Sequence, residues 1–322
     1  MHRPGACLIP LLLAIVVPPA ALTQSKTAQN VALDREFNLA GAHLNATQYY
    51  VMETRVTMLA FNGSRTPEFT LRLALKCAPG SHPGGAGDTY TCARFSVQRP
   101  NRPPMVLEAL TNWTYVFKGP EADTKGPVLG IEHSKFQTLR DSAGKALPAG
   151  IMYMVYNSFI DFHAMCSVFA EATSSGKGIQ DLKRIGQKIV HVAAFSQPPT
   201  NLGDQVLEGS YFKNGEITLE FKGIGVQNNS PCAIIGYDSG ESSFKMIMVS
   251  MPDVKTETNG SSHYWGDIYK SMATGWVQQV DMTEVVFSET SLPFPPGKVN
   301  AMTERALLIR NVSEQEFESE LK

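Results

Sequence analysis

The stretch AGIMYMVYNSFIDFHAMCSVFAEA, residues 149–172, constrains this fold more than any other part of the chain. It is helix-length and apolar on nearly every side, yet it lies between two halves whose apolar and polar residues alternate as strands do. A membrane span, a catalytic helix and a core plug are the three readings. The 22 residues from Ala149 to Ala170 are long enough to span, but Asp161 and His163 fall near the centre, with Asn157 one turn earlier. A central aspartate costs about 2.5–3.5 kcal/mol on insertion scales, more than several leucines recover. A helix that is apolar all round is one that is covered all round. The segment therefore reads as a plug wrapped by a sheet, with no transmembrane span.

The flanks supply the sheet. YYVMETRVTMLAF sets Tyr50, Met52, Val56 and Met58 against Glu53, Arg55 and Thr57. EFTLRLALKC is stricter, with Phe69, Leu71, Leu73, Leu75 and Cys77 on one face and Thr70, Arg72 and Lys76 on the other. That pattern marks an antiparallel sheet with one wet face. Further strands are expected at 89–98, 105–110, 112–118 and 128–140, then at 208–213, 216–224, 231–238, 242–250, 262–270, 275–288 and 304–312. A second helix is expected at 178–194, where Ile179, Leu182, Ile185, Ile189 and Ala193 recur at helical spacing.

The chain thus divides into a leader (1–23), an N-terminal arm (24–47), a first β-meander (48–148), a helical segment (149–195), a second meander (196–313) and an acidic tail (314–322). The leader has Arg3, an apolar run from Ala6 to Val17 and small residues after Pro18-Pro19, the layout of a secretory signal. The expected location is periplasmic or extracellular. A formal charge of −2 without basic runs leaves no electrostatic footprint for nucleic acid. Past the leader stand Cys77, Cys92, Cys166 and Cys232. Cys77 and Cys92 flank a glycine-rich loop between two strands, and in an oxidising compartment a bridge across that hairpin is expected. None of the four has the close spacing of a zinc or redox site, and no metal or cofactor is expected.

No catalytic motif emerges. Asp161 and His163, two apart on a helix, point about 200° apart and cannot act on one substrate. Asn157 and Asp161 share a face, and their expected role is that of buried polar groups satisfied by strand backbone. SSFK (242–245) fits S-x-x-K formally but opens a strand, not a helix, and GYDSGES (236–242) is not a nucleophile elbow. In SSHYWGDIY (261–269), alternation puts His263, Trp265, Asp267 and Tyr269 on one face, opposite Tyr264 and Ile268. Such an aromatic strip could stack sugar rings or line a lipid groove; packing against the plug helix or cross-strand pairing is the structural alternative. The candidate ligand contacts are Tyr156, Phe159 and His163 from the helix, with Trp265, Tyr269 and Trp276 from the second meander.

The run GDIYKSMATGWVQQVDM (266–282), followed by EVVFSET, resembles a hairpin of the periplasmic lipoprotein-carrier half-barrels of the LolA/LppX type. The resemblance covers the C-terminal 110 residues best. It implies an open, strongly curved sheet enclosing helices, with an apolar cavity for an acyl chain. The expected fold is mainly β with two central helices (α+β), a curved antiparallel sheet or half-barrel wrapped around a buried helix. The expected function is non-catalytic binding of a lipid-like or other apolar ligand, or of an envelope protein partner, between sheet and helices. A hydrolase or lyase using His163, His263 or Asp267, and a structural surface protein, are the alternatives.

Overall fold

The computed structural model describes residues 35–40, 43–82, 85–117, 131–141, 143–198, 206–251 and 254–322. The expected leader, and most of the arm, lie outside the described residues. Among the described residues fourteen strands follow in chain order: β1 Gln48–Leu59, β2 Arg65–Ala78, β3 Ser81–His82, β4 Gly85–Ala86, β5 Asp88–Gln98, β6 Met105–Val106, β7 Trp113–Phe117, β8 Lys188–Val190, β9 Tyr211–Lys213, β10 Thr218–Gln227, β11 Ser230–Met251, β12 Val254–Ser271, β13 Val277–Ser291 and β14 Lys298–Val312. Helices α1 Ser134–Gln137 and α2 Ala149–His163 separate the two meanders, and α3 Glu314–Glu320 closes the chain.

Twelve strands form one antiparallel sheet in the order β6-β5-β2-β1-β14-β13-β12-β11-β10-β8, with β7 beside β5 and β9 beside β11. The pairing of β1 with β14 joins the two meanders into a single curved sheet that is not closed into a barrel. Register explains why the sheet holds. Phe95, Leu73, Met52, Ile309, Val280, Ile268, Ile235 and Phe221 lie opposite one another across eight strands. All eight are buried, an apolar row on the face that receives α2. A slip of one residue in any strand would turn its member of the row to solvent.

The plug is observed. Pro148 precedes α2, and its carbonyl accepts from the amides of Ile151 (2.9 Å) and Met152 (3.1 Å). Val155, Phe159 and Phe162 are completely buried. The helix continues as a π turn, Ala164–Val168, in which Met165, Cys166 and Ser167 are also buried. No helix among the described residues is long and apolar enough to cross a membrane.

Three local expectations are corrected. The segment 178–194 is not a helix: a 3-10 turn at Ile179–Asp181 leads to strand β8. Gly186 adopts φ +86°, and its amide donates to Phe221 O (2.7 Å) while the Phe221 amide donates to Gln187 O (3.0 Å). Pairing with the edge of β10 wins over the helical spacing, and Ile179 and Leu182 are buried all the same. Within 128–140 the described part is not a strand but contains α1, which places Phe136 against Phe159. The two strands expected at 231–238 and 242–250 are one, β11, bulged between Asp238 and Glu241.

Cys77 and Cys92 are both buried and free, so the expected bridge is absent. Cys77 stands opposite Tyr90, and Cys92 opposite Leu75, which makes the two cysteines diagonal neighbours. Diagonal neighbours sit about 7–8 Å apart, too far for the roughly 3.5–4.5 Å between β-carbons that a disulfide needs.

Candidate functional site

The sequence-derived ligand contacts fall into three places. Tyr156, Phe159 and His163 are core residues on α2. The Tyr156 hydroxyl and His133 Nε2 are 2.8 Å apart, and the Phe159 ring packs on Phe95, Trp113, Tyr115 and Phe136. His163 stacks on Phe117 with centroids 4.4 Å apart, and its Nε2 lies 2.8 Å from the Tyr115 hydroxyl. Burial drives its pKa down to about 3, which keeps the ring neutral. The crevice between helix and sheet lined by His133, Phe136, Tyr153, Tyr156 and Met248 is about 20 Å³, room for one water.

Trp276 is the second place. It is buried where β13 begins, stacked on His43 at 3.7 Å, and its Nε1 donates to Leu44 O at 2.9 Å. There it fastens the described part of the N-terminal arm. Lys270, also buried, does the same by donating from Nζ to Leu39 O at 3.2 Å.

Trp265 and Tyr269 occupy the third place, the face of the sheet turned away from α2. Tyr264 and Ile268 point the opposite way and are buried, as alternation requires. The expected strip is therefore real but outward-facing, and packing against the plug does not account for Trp265.

The charged residues of the core were harder to foresee. Asp161 does not meet strand backbone; it takes Arg305 of β14 as its partner. Arg305 Nη1 also donates to Glu284 Oε2 of β13 at 2.5 Å, and the Asn157 side-chain oxygen accepts from Arg305 Nη1 and Nη2, each at 3.2 Å. Burial raises the pKa of both carboxyls while Arg305 pulls it down. Arg305 and Glu284 share the inward parity of Leu307, Ile309, Val280 and Met282. A charge on the apolar parity of a strand was the available signal.

The formal S-x-x-K match is no dyad. Ser242 is buried and accepts from the Gly215 amide at 3.3 Å, whereas Lys245 pairs with Glu257 at 2.9 Å. Residues three apart on a strand face opposite sides. Among the described residues no group of three His, Cys, Asp or Glu is placed to hold a metal ion.

Two exposed aromatic residues outside the expected set line an open cleft with a polar rim. Phe61, in the turn between β1 and β2, is 85% exposed, and Phe287 of β13 is 49% exposed. They line an open, shallow cleft of about 410 Å³ together with Gly260 and Ala301 and the polar residues Asn259, Ser261, Ser288, Glu289 and Asn300. Ser261 and Phe287 are registered opposite each other, which puts the Phe287 side chain on the outward face.

No protein-family model matches the chain, and no curated protein matches it significantly in sequence.

Proposed function

We propose that the protein is an exported, non-catalytic binding protein whose ligand is apolar or lipid-like. The ligand lies against the outer end of the sheet at Phe61 and Phe287. One observation supports this reading: two large exposed aromatic side chains, Phe61 and Phe287, line the same cleft of about 410 Å³. Ligand sites fall in the range of about 300–1,000 Å³. The helix–sheet interior supports the binding role less well, because Val155, Phe159 and Phe162 fill it.

The test is native mass spectrometry of the purified chain, solvent extraction, and titration with a fluorescent fatty acid. A bound apolar species, lost with the probe's affinity in Phe61→Ser and Phe287→Ser, is the expected result. Wild type that neither carries an apolar species nor binds the probe, or variants that bind as wild type does, would reject the reading.

A further inference from the structure

The outward strip around Trp265 has a chemistry unlike the Phe61 cleft. We propose that it is a saccharide-binding platform, with a sugar ring stacked on the Trp265 indole and its hydroxyls held by Asp238 and Asp267. Trp265 is 39% exposed, far more than Trp276, which is buried at 3%. Its cross-strand neighbours are Asp238 on β11 and Thr283 on β13. Along its own strand, His263 precedes and Asp267 follows on the same face, each about 6–7 Å away by the strand repeat. The direct cross-strand and along-strand neighbours of the ring on that face are therefore polar, and Val285 of β13 is an apolar diagonal neighbour.

The polar rim is already ordered. Asp238 Oδ1 accepts from the Gly240 amide and from His263 Nε2, both at 2.8 Å. The His263 ring leans on Trp265 with centroids 5.1 Å apart, so the carboxylate, imidazole and indole form one connected row. Asp267 Oδ1 accepts from Lys222 Nζ at 2.6 Å. Lys222 crosses Gly236, where any β-carbon would lie within 2.5 Å of the lysine Cε. The missing side chain at Gly236 is what lets the ammonium reach Asp267.

This arrangement selects among ligand classes. An acyl chain wants apolar neighbours around the ring, and here Val285 is outnumbered by carboxylates, an imidazole and a hydroxyl. Nucleic acid would bring phosphates against Asp238, Asp267 and the exposed Asp281. A quaternary ammonium is held by a cage of several rings, whereas one indole on an open sheet presents a single flat face. A pyranose has an apolar C–H face to stack on such a ring and an equator of hydroxyls, each both donor and acceptor. Asp238 and Asp267 supply acceptors, and the Lys222 ammonium supplies donors.

The experiment is sedimentation of the full chain with insoluble cellulose, chitin and peptidoglycan, followed by tryptophan-fluorescence titration with soluble oligosaccharides of the retained polymer. Wild type should sediment with at least one polymer. Trp265→Ala should weaken binding at least tenfold, Trp265→Phe less, and Asp267→Asn should weaken it while thermal unfolding is unchanged. Phe61→Ser should bind the polymer as wild type does, which separates this platform from the Phe61 cleft. Retention on none of the three polymers, or wild-type binding by Trp265→Ala, would overturn the proposal.

Discussion

Arg305 and Asp161, 144 positions apart in sequence, are ion-pair partners where the central helix meets β14. Glu284 takes the other side of the same guanidinium at 2.5 Å, so one largely buried arginine serves two buried carboxylates. Removing one member of a buried pair costs about 3–5 kcal/mol, because the charge left behind is uncompensated. Arg305→Met should destabilise the protein by that amount in urea unfolding. The triple variant Asp161→Asn, Glu284→Gln, Arg305→Met should lose less than Arg305→Met alone. A triple variant weaker than the single would show that the network stabilises beyond the compensation of its own charges.

His163 makes the fold acid-sensitive. Its Nδ1 has no hydrogen-bond partner, and burial holds its pKa near 3 rather than 6.5. Between those values the unfolded chain binds a proton that the folded chain refuses. Stability from this group is therefore complete above about pH 6.5 and falls as pH drops towards 3, with a limiting slope of about 1.4 kcal/mol per pH unit. In His163→Phe the difference in unfolding free energy between pH 7 and pH 4.5 should shrink accordingly. An unchanged pH profile would mean that the imidazole is protonated inside the fold.

The thiols give a direct check on the register of β2 against β5. Burial pushes the Cys77 thiol up to about 12 and raises Cys92, Cys166 and Cys232 as well. Without reductant, a chain beginning at Gln24 should react with Ellman's reagent slowly when folded and show all four thiols in guanidinium. Two thiols under denaturing conditions, with a peptide map linking Cys77 to Cys92, would show the two β-carbons closer than the diagonal register allows.

Much of this architecture is legible because alternation is a local signal. The face Phe69, Leu71, Leu73, Leu75 and Cys77 reads off the sequence, and from Leu71 to Cys77 it is buried as read. The plug is legible for a similar reason, since an all-round apolar helix has to be enclosed. What the sequence hides is pairing. Ile179, Leu182, Ile185 and Ile189 fit a helical period, and only the edge of β10, 30 or so positions onward, draws Gly186 and Gln187 into extended hydrogen bonding. Arg305 and Glu284 stand on the apolar parity of their strands, but no local pattern links either to Asp161. The outward aromatic strip of β12 was legible, but the partition of Tyr156, Phe159 and His163 from Trp265 and Tyr269 depends on which face of the sheet the helix takes.

Phe159 tests that last choice. It is completely buried, with Phe95 stacked at 5.9 Å and the rings of Trp113, Tyr115 and Phe136 edge-on around it. Those four rings come from β5, β7 and α1, so Phe159 joins the first meander to the central helix. Truncating a buried phenylalanine costs about 3–5 kcal/mol in lost transfer energy and cavity. Phe159→Ala should lower unfolding free energy by that amount. Phe159→Asp, which buries an unpaired carboxylate in the same place, should leave no cooperative transition. Phe159→Leu, which keeps part of the volume, should fall between wild type and alanine. If Phe159→Ala unfolds at the wild-type midpoint, the helix does not plug the sheet and the packing of the inner face is wrong.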